Sequence, residues 1–129
     1  MAERPAASDK PVLQKLLLKS GQRAAVVNAP ASYEPVAAQV PGVVRSLDGQ
    51  FDFIHVFATR REELLKEGPR WREALRPNGL LWVSYPKGKS IPTDLNRDVV
   101  RTALNEVGLD PVSQVAIDEV WSALRCKPV

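Results

Sequence analysis

Residues Phe51–Ala58 spell FDFIHVFA, an eight-residue run that is apolar on both faces except at Asp52 and His55. A strand of this kind has to be covered on both sides, as happens in a parallel sheet that lies between two layers of helices. The run therefore predicts a central parallel strand and, with it, an α/β fold.

Upstream of this run, the sequence predicts a short helix and a second buried strand. Asp9 can cap a helix that begins near Pro11, and Gly21 lies just past its end. Residues 23–28, four of which are apolar, then predict a short strand. A helix followed by an apolar strand is the first unit of an alternating α/β chain.

Between that strand and Phe51 the chain has room for one further helix and little else. Ser32 can cap this helix. Its apolar residues recur at the spacing of one helix face, at Tyr33, Val36, Ala37 and Val40. Pro41-Gly42 ends it, and residues 43–47 predict one weak strand.

Downstream of the run, a helix and a third buried strand follow. Residues 59–62 (Thr-Arg-Arg-Glu) form a capping box, so a helix is expected to begin at Arg60. Its apolar positions stay in phase across Gly68-Pro69, a pair that is expected to kink the helix or split it in two. Asn78-Gly79 then turns the chain into a buried strand at residues 80–85.

The last third of the chain predicts one helix and a hairpin. Thr93 or Asp94 caps a helix whose apolar stripe ends at Gly108. Residues 112–117 and 120–127 are strands, and the two-residue link between them forces them to be antiparallel. The whole pattern predicts a three-layer α/β sandwich with a mostly parallel sheet and an antiparallel C-terminal edge hairpin.

Composition limits the class of protein. With 129 residues, 44% of them hydrophobic and 26% charged, the chain suits one globular domain, placed at residues 9–129 after a loose tail at 1–8. The net charge of +3 comes from basic residues interleaved with acids, a pattern that indicates a solvated surface and argues against a nucleic-acid partner. No leader segment or membrane-spanning run is visible, so we expect a cytoplasmic protein.

The order of elements resembles the Rossmann-like fold of S-adenosylmethionine-dependent methyltransferases. LLLKSGQRAAVVNAP (residues 16–30) resembles the helix, Lys-x-Gly turn and first strand that carry the cofactor motif in that family. FDFIHVF is similar to its fourth-strand motif. WREALRPNGLLWVSYPK (residues 71–87) is similar to its Leu-x-Pro-Gly-Gly turn and fifth strand, with Asn78 at the first glycine. The terminal hairpin matches the family's last two strands.

The same comparison indicates a shortened, or truncated, version of the fold. After the first strand and its helix, only one weak strand fits before Phe51, where a full methyltransferase has two strands with a helix between them. The chain looks most like a bacterial family of unknown function described as truncated methyltransferase-like proteins. The strings that resemble this family are VVNAP, LWVSYPKGKSIPTDLNRDVVR and AIDEVWSALR. This resemblance brings no established catalytic residue.

The resemblance implies where a cofactor would lie. In methyltransferases, glycines after the first strand let the backbone pass close to S-adenosylmethionine, and an acid after the second strand binds its ribose hydroxyls. Here Asn28, Ala29 and Pro30 follow the first strand. Asn28 tolerates positive φ, but two Cβ atoms and a proline ring occupy space that the cofactor would use, and Pro30 lacks an N–H. Asp48 is the candidate ribose acid, or else part of a plain turn.

We therefore expect the chain to keep the methyltransferase-like fold and to have lost standard cofactor binding. No cofactor is expected, and S-adenosylmethionine remains the alternative. Open α/β sheets bind ligands at the carboxyl ends of their strands, so the rim there should still form a crevice. The ligand candidates on this rim are Thr59, Ser84, Tyr85, Lys87, Lys89, Thr93 and Asp94.

The loop after the third buried strand has two interpretations. Lys87 and Lys89 flank Gly88 and can attract an anion, together with the N–H groups of a helix that starts at Thr93. Otherwise they belong to a solvated loop. The loop does not match a P-loop, because Val83 stands where the first glycine belongs.

No catalytic or metal-binding residue is predicted. His55 is the only histidine and Cys126 the only cysteine, so neither a His-rich metal site nor a disulfide within the chain can form. His55 lies within a central strand, which favours a hydrogen-bonded core residue over a Ser-His-Asp site. Asp118 and Glu119 have no partner base and suit a turn.

Three functions remain open on the sequence. The first is a non-catalytic binding or interaction protein with an unknown, anionic ligand or a protein partner. The second is a small-molecule methyltransferase with a non-standard S-adenosylmethionine pocket. The third is a nucleic-acid binder, which would be favoured if the arginines of the helix after Phe51–Ala58 clustered on one face: Arg60, Arg61, Arg70, Arg72 and Arg76.

Overall fold

The computed structural model describes residues 11–88 and 90–129, which form a five-stranded sheet between two layers of helices. The strands are β1 (Ala24–Val27), β2 (Phe51–Phe57), β3 (Leu75–Pro86), β4 (Leu109–Ala116) and β5 (Trp121–Pro128). The helices are α1 (Val12–Lys15), a 3-10 turn (Ala31–Tyr33) that continues into α2 (Glu34–Ala37), α3 (Arg61–Ala74) and α4 (Arg97–Glu106). The tail and Asp9 lie outside the described residues.

The sheet order is β1-β2-β3-β5-β4. Strands β1, β2 and β3 are parallel, and β5 is antiparallel to both β3 and β4. The predicted α/β sandwich, with β2 between two parallel neighbours and a C-terminal antiparallel hairpin, is confirmed.

The region before β2 differs from the prediction. We expected residues 43–47 to add a weak strand beyond the buried strand at residues 23–28. Instead, within the described residues, only one isolated parallel bridge, between Ala25 and Val44, lies outside β1. Strand β1 is therefore the edge of the sheet, and the fold is shortened at this edge.

Both faces of β2 are buried, which explains its continuous apolar run. Ile54 and Val56 belong to the core beneath α3 and α4. Phe53 and Phe57 belong to the core beneath α1 and α2. Large apolar side chains on both faces favour a three-layer arrangement because each contributes about 1.5–3 kcal/mol when it is buried.

The start of α3 uses a different acid from the predicted one. Glu63, rather than Glu62, accepts hydrogen bonds at Oε1 from the backbone N–H groups of Thr59 and Arg60, both at 2.9 Å. The helix begins at Arg61, and Asp94 accepts a hydrogen bond at Oδ1 from the Arg61 N–H at 2.8 Å. A carboxylate from a distant loop therefore helps to cap this helix.

That contact also explains why the predicted cap of α4 is wrong. Asn96, not Thr93 or Asp94, caps α4 and accepts a hydrogen bond from the Val99 N–H at 2.9 Å. Thr93 instead donates its hydroxyl proton to the carbonyl of Thr59 at 2.6 Å. Because both side chains are used by the start of α3, the helix begins later, at Arg97.

The first two helices are shorter than predicted. Helix α1 has one turn, and its neighbour Leu16 accepts a hydrogen bond at its carbonyl from Trp82 Nε1 at 2.9 Å. Ser32 does not cap α2, because it lies inside the 3-10 turn that follows Pro30. Four-residue helices are too short to be stable alone, so tertiary contacts hold them in place.

Helix α3 is continuous through Gly68-Pro69, so of the two predicted alternatives, a kink or a split, the split is wrong. Gly68 is buried where α3 crosses the end of α4. A Cβ atom at this position would lie 2.6 Å from Cγ2 of Val107. The glycine therefore permits close helix packing, a tertiary role that the sequence pattern does not reveal.

We expect Gly68→Ala to lower the free energy of unfolding by about 1–3 kcal/mol, because the added methyl group overpacks the helix contact. This loss should occur although alanine favours a helix over glycine by about 1 kcal/mol. In a Val107→Ala background the same substitution should be neutral or stabilising. Chemical denaturation of the four variants measures both effects, and equal losses in the two backgrounds would contradict the packing explanation.

Candidate functional site

The carboxyl ends of β1, β2 and β3 lie at one end of the sheet, where open α/β folds bind ligands. Asn28 follows β1, Thr59 follows β2, and Tyr85 and Lys87 lie at the end of β3. The sequence placed its site residues at this end, and two cavities are found here.

The loop after β1 makes a tight turn. Asn28 has φ 62°, a left-handed conformation that asparagine tolerates. Ala29 and Pro30 are half-buried. Pro30 accepts a hydrogen bond at its carbonyl from the Tyr33 N–H at 2.9 Å, which starts the 3-10 turn. The ring of Tyr33 is buried, with its centroid 4.9 Å from that of Phe57. The loop thus folds back over the end of β2.

The cavity beside this loop is small. It has a volume of about 160 Å³ and is bounded by Asn28, by residues 45–47 and by three side chains of α3. Sites for small molecules usually measure about 300–1,000 Å³. This cavity is below the range that a nucleoside-sized ligand needs.

Asp48 makes the contacts of a turn residue. Its carboxylate accepts a hydrogen bond from the Ser46 hydroxyl at 3.0 Å. Its carbonyl accepts one from Arg23 Nη2 at 2.8 Å. Among the described residues that line the cavity beside Asn28, Ser46 is present and Asp48 is not. These contacts agree with the interpretation of Asp48 as a turn residue.

A second cavity, which we call the β3 crevice, lies at the end of β3. It has a volume of about 330 Å³ and is lined by Tyr85, Lys87, Gly88 and residues 93–97. Lys87 and Arg97 are exposed and give it two positive charges. Four predicted ligand candidates therefore meet: Tyr85, Lys87, Thr93 and Asp94. Lys89 lies outside the described residues.

Thr59 and Ser84 have other roles. Thr59 is half-buried and is joined to the β3 crevice through the hydrogen bond from Thr93. Ser84 is fully buried, and its hydroxyl lies 2.6 Å from Nε2 of His55. The strand alternation turns Ser84 into the core rather than onto the rim.

His55 is a buried core residue, as the sequence suggested. Burial lowers the pKa of His55 from 6.5 to about 3, so the ring is neutral at pH 7. Its Nδ1 and the hydroxyl of Tyr33 are buried without a hydrogen-bond partner among the described residues. Burial also raises the pKa of the Cys126 thiol to about 12 and that of the Tyr33 hydroxyl above its ordinary value of 10.0. All three side chains are therefore uncharged at pH 7.

Two of the arginines on and beside α3 form ion pairs at opposite ends of the sheet. Arg61 pairs with Glu106 at 2.9 Å near the carboxyl end of the sheet. Arg76 pairs with Asp52 at 3.2 Å at the amino end. Residues 11–88 and 90–129 contain no group of three His, Cys, Asp or Glu side chains that could hold a metal ion. They also contain no helix long and apolar enough to cross a membrane.

Sequence reasoning missed Asn96 and Arg97, which line the β3 crevice. The signal was present, since asparagine is as good a helix cap as aspartate. Thr93 and Asp94 precede Asn96 and are also suitable caps. Only the tertiary structure shows that their side chains bind at the start of α3 instead.

Comparisons with known proteins support the fold. No protein-family model and no curated protein sequence match the chain. Among solved structures, a ribosomal protein L11 methylase from Lactobacillus delbrueckii subsp. bulgaricus matches with a TM-score of 0.61 and 15% identity, over 91% of this chain and 74% of that chain. The CcbJ methyltransferase from Streptomyces caelestis matches with a TM-score of 0.63 and 10% identity, over 98% and 93%.

A third solved structure, PigF with SAH, matches with a TM-score of 0.61 and 13% identity, over 93% of this chain and 62% of that chain. This chain therefore spans less than two thirds of PigF. At such identities the likeness concerns the fold alone. The chain has a methyltransferase-like Rossmann fold that is small and shortened.

The His55 environment predicts a specific pH dependence. Below pH 6.5 the unfolded chain binds a proton at His55, whereas the folded chain does not until about pH 3. The free energy of unfolding should therefore decrease as the pH is lowered from 6 to 4, by up to about 1.4 kcal/mol per pH unit. His55→Gln keeps a polar group for Ser84 and removes the titration. Chemical denaturation of both proteins should give diverging pH profiles, and parallel profiles would contradict the assignment.

Proposed function

We propose that this chain is a non-catalytic binding protein on a methyltransferase-like frame, and that it does not bind S-adenosylmethionine in the usual place. The observation that carries the proposal is the small cavity after β1, about 160 Å³ in volume. Ala29 and Pro30 are half-buried at this turn, where glycines would leave room for a ligand.

The residues around this loop are a poor fit for the cofactor. Pro30 has no N–H to offer. Asp48, the candidate ribose acid, already accepts a hydrogen bond from Ser46 and does not line the cavity among the described residues. Tyr33 packs over the end of β2 against Phe57 and His55. Each feature removes a group or a space that binding at this place would need.

The β3 crevice is the better candidate for a ligand, and its chemistry favours a small anion. Lys87 and Arg97 supply positive charge. Asp94 is the one acid among the described lining residues, and its carboxylate accepts the Arg61 N–H, so the two cations outnumber it. The first N–H groups of a helix have no partner within it, so the start of α4 adds to the attraction for an anion.

This proposal predicts that calorimetric titration with S-adenosylmethionine will show no saturable heat at micromolar concentrations. The same titrant should bind a known S-adenosylmethionine-dependent enzyme in a parallel run. Stoichiometric binding to this chain would overturn the proposal. It would favour the alternative, a small-molecule methyltransferase with a non-standard pocket.

A second prediction concerns the anion. Inorganic phosphate should raise the thermal unfolding midpoint, because a ligand that binds the folded state stabilises it. In Lys87→Ala/Arg97→Ala the phosphate affinity should fall by roughly tenfold or more, since charged hydrogen bonds are lost. Lys66→Ala/Arg101→Ala removes the same charge from exposed sites outside the crevice and should bind normally. Equal affinity in all three proteins would exclude the β3 crevice.

A further inference from the structure

A larger cavity lies at the opposite end of the sheet. Its volume is about 580 Å³, and it is formed by the amino ends of β2 and β3 and the last residues of β5. This volume falls within the range of about 300–1,000 Å³ that is common for small-molecule sites. The described residues that line it do not overlap with those of the β3 crevice. We call it the amino-end pocket.

An irregularity in β3 builds one wall of this pocket. Phe51 and Phe53 of β2 are two residues apart, but their partners Leu75 and Leu80 in β3 are five apart. The extra residues form a bulge, in which Asn78 has φ 66°. A Cβ atom at Gly79 would lie 2.8 Å from Leu75 Cδ1, so the bulge is tightly folded. It projects residues 76–78 along the side of the pocket.

Three cations line the pocket, and no acid does among the described lining residues. Arg76 is held by its ion pair with Asp52 at 3.2 Å. Arg125 donates from Nε to the Ser113 hydroxyl at 3.2 Å, a bond that leaves its terminal nitrogens available. Lys127 is exposed and forms no ion pair within the described part of the chain. The lining of the pocket is therefore positively charged, although Arg76 is paired with Asp52 beside it.

The remaining lining is largely apolar. Leu75, Pro77, Leu80 and Pro128 stand beside the cations. Guanidinium groups bind phosphate and carboxylate groups through paired hydrogen bonds. Apolar walls stabilise a complex only when the ligand has an apolar part that covers them. A free inorganic ion would use the cations and leave these walls exposed to water.

We propose that the amino-end pocket binds an organic anion in which one phosphate or carboxylate group is attached to an apolar body. The charged group contacts Arg125 and Lys127, and the apolar body lies against Leu80 and Pro77. This site is separate from the β3 crevice and does not depend on the function proposed for it.

The test uses phenyl phosphate and benzoate as probes of the two anionic groups, with inorganic phosphate and phenol as controls that each lack one feature. Titration of the ¹⁵N-labelled protein, followed by NMR, locates the binding. At least one organic anion should shift the amide signals of residues 76, 78, 79 and 127 saturably. Inorganic phosphate and phenol should each bind there at least roughly tenfold more weakly.

Variants then test the cations. Arg125→Gln/Lys127→Gln removes both proposed contacts and should lower the affinity for the probe roughly tenfold or more. Lys127→Gln alone, at an exposed position, should weaken it measurably without disturbing the ion pair of Asp52. Lys66→Gln/Arg101→Gln and the crevice variant Lys87→Ala/Arg97→Ala should both retain normal affinity at this pocket.

Three results would overturn the proposal: no saturable shift with either organic anion, shifts confined to residues 93–97, or unchanged affinity in the Lys127→Gln protein. Because the crevice variant and the pocket variants affect opposite ends of the sheet, failure of one site leaves the result for the other intact.

Discussion

Strand β2 packs Ile54 and Val56 against α3 and α4, and it packs Phe53 and Phe57 against α1 and α2. Neither helix layer can be removed without exposing several large apolar side chains to water, at a cost of about 1.5–3 kcal/mol for each. This two-sided burial holds both helix layers against the sheet, whose edge at β1 is shortened. It also explains how one-turn helices such as α1 persist, because they are stabilised by the core they cover and not by their own length.

A second set of contacts ties the loops at the carboxyl end of the sheet. Thr93 bonds to the carbonyl of Thr59, and Asp94 caps the start of α3 through the Arg61 N–H. These bonds join the turn after β2 to the segment before α4 and hold one wall of the β3 crevice. The crevice is thus anchored by the same interactions that begin a long helix, which favours a preformed shape over a mobile loop on this side. At the other end of the sheet, the bulge of β3 forms a wall by different means, through a strand irregularity.

The methyltransferase-like fold does not by itself determine what this chain binds. The likeness to solved methyltransferases covers nearly the whole chain, but at 10–15% identity it concerns the path of the backbone. The loop at Asn28–Pro30 keeps the turn after β1 with a different residue chemistry, and its cavity is small. Basic side chains line two cavities at opposite ends of the sheet. A fold supports many functions, and the side chains at its ends decide between them.

Local patterns in the sequence determined the order and type of the strands and helices, the central position of β2, the antiparallel hairpin and the core placement of His55, because periodicity and short connections act over a few residues. Only the tertiary structure decided which polar residues cap which helices, that Ser84 faces inward to His55, that Gly68 serves a helix crossing, and where the cavities lie. The physical reason is competition between distant partners. Asp94 suits the start of its own helix, yet it caps a helix that begins 33 residues earlier, and no local pattern records that choice.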